Sequence, residues 1–440
     1  VGVRRFFAAP YEIEMELSKA IFEMEETGMP VDTNYFEWLA EATGAEKERL
    51  KPLLFAQAGQ WEFNPDSDDD VRQLVCGRLG LENRLWKHTD GGAWAVDKEV
   101  LESFADEFPV LETLREYRDA SKINSTYTTS IIERAVNGML HGQFKQLGTN
   151  TGRMSSADPN MQNFASDSDA RAKAFSGKSL EEGGVDPWSV KRGFINRHPS
   201  MARFYFDYSQ IELRVLAFYS QDPVLVQAYI DGEDIHDRTS MEVFGTTAKA
   251  MRRKAKIINF GLSYCLSAMG YARQAKVSEQ QAEEDMAKFF QRYAGIASYR
   301  ERFWAECCRQ SPPQFVNIFG RARRIPDLNS QNSYLRGRAQ RQAIGSQIQG
   351  TAAYFTKVAM VRIYHWEKRN RSGLKQVSTI HDEISLDIPT AVARDVVPQV
   401  KRMMEDFPQF HPVPITTGCE YSTTNWAEKK DVPDNFLRAA

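Results

Sequence analysis

Two aspartates stand where the chain is best prepared to hold metal ions, 175 positions apart (382 − 207). Asp207 ends the β-prone run Arg203-Phe-Tyr-Phe. Asp382 lies in His381-Asp-Glu383, between the short β-type runs Val377–Ile380 and Ile384–Ile388. This pattern predicts a strand with one acid at its end and a hairpin with another at its turn. If the two strands are neighbours in one sheet, the carboxylates meet. Two divalent ions about 3.5–4 Å apart on such hard oxygens stabilise charge on an attacking hydroxyl, a phosphorus centre and a leaving pyrophosphate. The backbone carbonyl of Tyr208 could complete the ligand set. Taken singly, an Asp at a strand end is more often a turn former or helix cap, so the neighbouring residues must decide.

The strongest neighbour is a basic helix. Residues 249–276 carry Lys249, Arg252, Arg253, Lys254, Lys256, Arg273 and Lys276, with no acid among them. Arg252, Lys256, Phe260 and Tyr264 recur every four residues and so drift slowly around one helical face, cations first and rings last. Over about 18 Å of helix this order matches a nucleoside triphosphate, with phosphates on Arg252 and Lys256 and the base against Phe260. A solvated basic face with its aromatics in the core is the plainer alternative. A second cluster, Arg321, Arg323, Arg324, Arg336, Arg338 and Arg341, is interrupted by Asp327 and suits either duplex phosphates or ordinary surface charge.

These residues need elements to position them, and 440 residues can build a multi-lobed enzyme. A hydrophobic share of 42% supports a sizeable core, and a net charge of -3 argues against a simple basic nucleic-acid-binding module. Residues 11–50 read as helix with a break at Gly28-Met-Pro30, and 64–70 read as an acidic cap before an amphipathic stretch. Another helical run starts at Asp97 and reaches the polar stretch Lys122–Tyr127. From about 216 to 335 the chain is mostly helical. Residues 165–188, rich in Ser, Asp, Gly and Lys, read as an exposed insertion or mobile loop. Gly177-Lys178-Ser179 inside it lacks the strand and first glycine of a phosphate-binding loop, and that reading is rejected. The five scattered cysteines fit reduced thiols in a cytosolic compartment. No stretch reaches the roughly 18 apolar residues of a membrane span, and no signal peptide is expected.

Five ordered strings resemble the motifs of family A DNA polymerases: Thr151-Gly-Arg-Met-Ser-Ser-Ala-Asp-Pro-Asn-Met-Gln-Asn163, Asp207-Tyr-Ser-Gln-Ile-Glu-Leu-Arg214, Arg252 through Tyr264, Gln349-Gly-Thr-Ala-Ala353 and His381-Asp-Glu383. Asp234-Ile-His-Asp-Arg-Thr239 is similar too. The resemblance implies a mixed α+β right-hand architecture with an antiparallel palm sheet and largely helical thumb and fingers. It allots palm to 1–30, 136–215 and 336–440, thumb to 31–135 and fingers to 216–335. It implies a DNA-directed DNA polymerase that adds dNTPs to a primer on template DNA, in replication or repair. Asp207, Tyr208 and Asp382 would hold two Mg2+ ions, with Mn2+ as a substitute. Arg252 and Lys256 would grip the triphosphate, and Lys256 would protonate the leaving pyrophosphate. Phe260, Tyr264, His236 and Gln210 would line the nucleotide site, with Glu212 a steric gate against a 2′-hydroxyl. Arg153, Arg341, Gln349 and His381 would contact primer, template or nascent pair. Lys122, Asn124 and Ser125 would meet duplex backbone from the thumb. The family setting implies a monomer in bacterial or phage-infected cytoplasm.

The sequence departs from the family at Cys265 (usually glycine), at Gly345 (often an amide, leaving one template contact in doubt) and at Tyr354 (usually an acid). No proofreading exonuclease is seen. Such domains precede the polymerase in the family, and this chain begins at that boundary with Val1. Two other readings stand beside the main one. A polymerase with relaxed template or sugar choice is opposed on the sugar side by Glu212 and Phe260. A silent DNA-binding scaffold would lack a metal carboxylate or phosphate cation, and here all are present.

Overall fold

A computed structural model describes residues 10–89, 91–164 and 167–433. Its centre is the strand Met201–Tyr208, third in a five-stranded antiparallel sheet ordered Lys430–Asp431, Thr417–Ser422, Met201–Tyr208, Glu383–Pro389, Lys375–Ile380. The strand is buried from Ala202 to Phe206 because both faces of the sheet are covered. On one face Tyr208 donates its hydroxyl to the carbonyls of Phe355 and Met404, at 3.3 and 2.9 Å. On the other, Tyr205 stacks on Trp426, which meets Phe164 and Phe194 edge-on. Strand alternation places Arg203 and Asp207 on this second face with Tyr205.

Arg203 lies opposite Asp387 on the neighbouring strand. Both side chains are at most 1% exposed, with Nε to Oδ1 at 2.8 Å, and Asp387 also accepts from Arg197 Nε at 3.2 Å. Behind the sheet runs the 38-residue helix Ser333–Asn370, about 57 Å long at 1.5 Å per residue. The helix Pro10–Thr27 packs along it through an acidic face. Glu14 accepts from the buried Lys357 ammonium at 2.5 Å and from the Tyr354 hydroxyl at 3.1 Å, while Glu16 meets His365 and Glu23 meets Lys368. Tyr354 thus serves this contact with an acid supplied from another helix.

A second hydrophobic core gathers Leu50, Leu54, Val71, Leu74, Val100, Leu111 and Leu114, separate from the main one. It is built around the helices Thr33–Gln57 and Pro109–Lys122, and it falls inside the stretch expected to form the thumb. Ser67 and Asp97 cap the starts of short helices there, as their spacing predicts. From Ile211 to Cys308 the chain is a succession of helices, followed by the hairpin Gln314–Val316/Ala322–Arg324. Among the described residues no helix is long and apolar enough to cross a membrane.

The segment expected to be an exposed insertion or mobile loop is folded where it is described, from residue 167 onward; Ala165 and Ser166 lie outside the described residues. Asp186, with its side chain wholly buried, accepts from the Ser168 and Trp188 amides and from the Arg171 guanidinium, tying down the helix Asp169–Ser176. Gly177 ends that helix in a left-handed conformation and Ser179 caps the next turn, so neither serves a phosphate loop. A hub built on one short carboxylate leaves no hydrophobic periodicity to read.

Asp387→Ala would leave the Arg203 guanidinium buried without its partner. We expect a loss of about 3–5 kcal/mol, measured as a lowered unfolding midpoint in urea.

Candidate active site

The register that pairs Arg203 with Asp387 also pairs Asp207 with Glu383, four residues further along each strand. Ile380 and Glu383 pair across the hairpin, so His381 and Asp382 form a two-residue turn, with His381 at φ 55° as such turns require of one residue. The Tyr208 amide donates to the Asp382 carbonyl at 3.4 Å. Asp207 and Asp382, distant in sequence, are therefore brought together at one corner of the sheet. Asp207 as a residue is exposed, but its carboxyl is crowded there. Loss of water, together with the charges of Asp382 and Glu383, pushes it up to about 7. Burial also raises Asp382, while Arg153 and His381 oppose the rise.

Other side chains converge on the same corner. Arg153 pairs with Glu212 in the first turn of the helix Ile211–Ser220. Burial pushes the Glu212 carboxyl up to about 7, with Arg153 pulling down and Asp382 pushing up. Gln210, at φ 54°, accepts from the Tyr229 hydroxyl at 3.1 Å. Sequence reasoning missed Lys429, whose ammonium lies 2.6 Å from Glu383 Oε2 and lowers Asp207's affinity for a proton. Nothing in its local sequence marks it; only the edge strand brings it in.

The cationic helix spans Lys249–Ser263. A cleft of about 940 Å³ is lined by Lys256, Phe260, Tyr264, Cys265 and Arg341, with Arg253 lining it in place of Arg252. Arg252 instead binds Asp237 at 2.6 Å and Asp234 at 2.8 Å, whereas Lys256 makes no hydrogen bond or ion pair among the described residues. Burial works to raise Asp234, but the Asp237 and His236 amides and the Arg252 charge outweigh it and hold its carboxyl below the usual range. His236 is buried beside Phe260, ring centroids 5.5 Å apart. Cys265 takes the left-handed conformation, φ 56°, that glycine adopts without strain. The Tyr264 ring rests on Gly345, where a Cβ would lie 3.4 Å from its edge. The missing amide thus gives its space to that ring.

Gln349 is half-buried on the long helix, and the Gly350 beside it makes a backbone contact: a Cβ there would come within 2.6 Å of the Thr151 carbonyl oxygen. The helix presses on the turn that carries Arg153. Gly152 in that turn has φ 94° and faces the Arg321 guanidinium. Away from this corner, Lys122 and Ser125 are exposed on either side of Ile123, which packs in the main core, and Asn124 donates to the Ala40 carbonyl at 2.7 Å.

The description "DNA polymerase family A" matches residues 33–428. The chain belongs to this family. DNA polymerase I of Lactococcus lactis subsp. cremoris is 35% identical over 403 residues, covering 90% of this chain and 43% of the relative. The thermostable DNA polymerase I of Thermus thermophilus is 31% identical over 415 residues, covering 93% and 47%. The chain therefore spans about half the length of these relatives. The solved POL domain of Pol1 from M. smegmatis, in complex with DNA primer-template and dNTP, superposes with a TM-score of 0.83 at 26% identity, over 94% of this chain and 70% of that one. The mixed helix-and-sheet fold expected of a family A polymerase is thereby established.

Family A polymerases depend on metal ions. Among the described residues no group of three His, Cys, Asp or Glu side chains is placed to hold one. Mg2+, however, keeps several waters and takes one or two carboxylates plus substrate phosphates. The buried ring of Tyr208 leaves only its backbone for such a site. Asp207, driven toward the protonated form by burial and by the charges of Asp382 and Glu383, and Asp382, driven the same way by burial, fit a cation that would neutralise them.

For the contact beneath Arg153, Gly350→Ala should shift the Thr151–Arg153 turn at a cost of about 1–3 kcal/mol. We expect lower primer extension without loss of the folded state, compared by extension rate and circular dichroism.

Proposed function

We propose that this chain is a polymerase core that adds deoxynucleotides to a primer 3′ end as template DNA directs, in DNA replication or repair. The observation that carries the reading is the meeting of Asp207 and Asp382 at the end of the central strand, set by strand register. The relative solved with primer-template and dNTP supports the same substrates here. In this reading the sheet and its flanking segments (1–30, 136–215 and 336–440) form the palm, 31–135 the thumb and 216–335 the fingers. The separate core in the thumb region supports that division.

Asp207 and Asp382, with the Tyr208 carbonyl, would hold two Mg2+ ions, for which Mn2+ would substitute. When bound, the ions would supply charge neutralisation for nucleotidyl transfer. Lys256, without a partner of its own among the described residues, binds the triphosphate and delivers a proton to the pyrophosphate. Arg252 joins it by exchanging Asp234 and Asp237 for phosphate oxygens, an exchange of one charge-assisted pair for another. Phe260 and Tyr264 offer ring faces in the cleft to the sugar and base. Glu212, held by Arg153, stands as a wall beside the sugar that a 2′-hydroxyl would strike. Arg153, His381, Gln349 and Arg341 line the path of primer and template. Lys122 presents its ammonium to duplex phosphates, which position DNA without reading it, and Ser125 joins it by turning its hydroxyl proton away from the Ser121 carbonyl.

Extension of a labelled primer on a DNA template with Mg2+ and dNTPs tests the proposal. We expect the parent protein to extend and Asp382→Asn to lose at least about three orders of magnitude in rate, since a required ligand charge is removed. A folded Asp382→Asn protein that extends normally would sink the assignment. In the same assay Glu212→Ala should raise ribonucleotide incorporation relative to deoxynucleotide; unchanged sugar discrimination would refute the wall.

A further inference from the structure

Asn259 lies on the cationic helix between Lys256 and Phe260, is 4% exposed, and has no part in the roles given above. Its Nδ2 is 3.3 Å from the Ile235 carbonyl, which can only accept, and its Oδ1 is 3.0 Å from Thr239 Oγ1. The carbonyl settles which end of the amide is nitrogen, and the Thr239 hydroxyl, able to donate, suits the oxygen end. The same Nδ2 is 3.0 Å from His236 Nδ1 and must donate to it. In the neutral ring, Nδ1 is then the acceptor and the proton sits on Nε2. Thr239 gives its proton to Asn259, so the Tyr293 hydroxyl, 3.0 Å away, donates to Thr239. The donors run one way, from Tyr293 through Thr239 and Asn259 to His236, and join three helical segments of the fingers region.

Burial pulls the His236 imidazole below its usual range; Asp234 and Asp237 oppose this, and Arg252 and Lys256 add to it. Those four are the charged groups that face the ring. His236 Nε2 makes no hydrogen bond among the described residues, and the ring lies beside Phe260 within reach of the fields of Arg252 and Lys256. A neutral imidazole near a triphosphate helps only if its proton is on the nitrogen that meets the phosphate; the other tautomer would present a lone pair to an anion.

We infer that Asn259 is a positioning residue that holds His236 as the Nε2–H tautomer, so that the ring offers one fixed donor to a triphosphate oxygen. This rests on the polymerase reading above and deepens it. A carboxylate at 259 would accept rather than donate, and would draw a second proton onto Nδ1. A leucine would leave Nδ1 without its donor, and the tautomer without its bias.

The test combines ¹⁵N NMR of the imidazoles with single-nucleotide insertion kinetics on the parent, Asn259→Leu, Asn259→Asp, His236→Ala and the Asn259→Leu/His236→Ala double variant. The parent should show His236 Nδ1 unprotonated and Nε2 protonated. Asn259→Leu should lose that signature and raise KM for dNTP about tenfold or more, the worth of one hydrogen bond to a charged group, with a smaller change in kcat. It should add nothing further in the His236→Ala background. Asn259→Asp, which keeps the buried shape should the leucine variant fail to fold, should raise the His236 titration and retain a KM near the parent's. An Nδ1–H tautomer in the parent, or a KM rise undiminished in the His236→Ala background, would overturn the inference while primer extension still upheld the polymerase. A folded parent that extends no primer would overturn the reading beneath it, and the inference with it.

Discussion

Arg203 and Asp387 face each other across two strands with almost no access to water, and the geometry of the reactive corner follows from that pair. A strand slipped by one residue turns every side chain to the opposite face. Here the slip would also strand a guanidinium and a carboxylate in an aromatic layer, which is far costlier than losing apolar contacts. With the register so held, Asp207 must lie opposite Glu383 and next to the Asp382 turn. The acids are not drawn together by attraction. They are forced together by a backbone ladder whose order is paid for elsewhere, and burial, with the charges of Asp382 and Glu383, raises the Asp207 carboxyl above the usual range.

The cations of the helix Lys249–Ser263 are kept in two different states. Arg252 is engaged by Asp234 and Asp237, and the Asp234 carboxylate is itself held by the His236 and Asp237 amides at a helix N-terminus. Lys256, one turn on, is open to solvent. A guanidinium held in this way has a fixed orientation, whereas a free ammonium can swing. Arginine suits the first duty because its planar fork loses little freedom, and lysine the second because its charge sits on a flexible stem.

Much of this was legible in the sequence, and for physical reasons. The strand ending in Asp207, the hairpin around Asp382 and the cation-to-aromatic order of the helix Lys249–Ser263 are periodic or local patterns. Ser67 and Asp97 announced their helices by the chemistry of capping. What stayed hidden depends on distant backbone. Lys429 reaches Glu383 only because an edge strand folds back, and Asn259 gains meaning only beside His236. Gly350 carries no chemistry of its own; it marks the place where the Thr151 carbonyl lies, so two separate motifs are halves of one contact. Gly345 and Tyr264 are related in the same way.

The segment from 167 to 188 gathers its polar bonds around Asp186, reaches outside through Glu181 to Lys249 at 2.7 Å, and is anchored at its exit where the Tyr35 hydroxyl meets the carbonyls of Pro187 and Ser189. A piece so largely self-contained asks little of its host. Its loss would expose few unmet groups, and its gain would require few changes around it. Such a piece can tolerate changes in its own length while the sheet corner at Asp207 and Asp382 stays as it is.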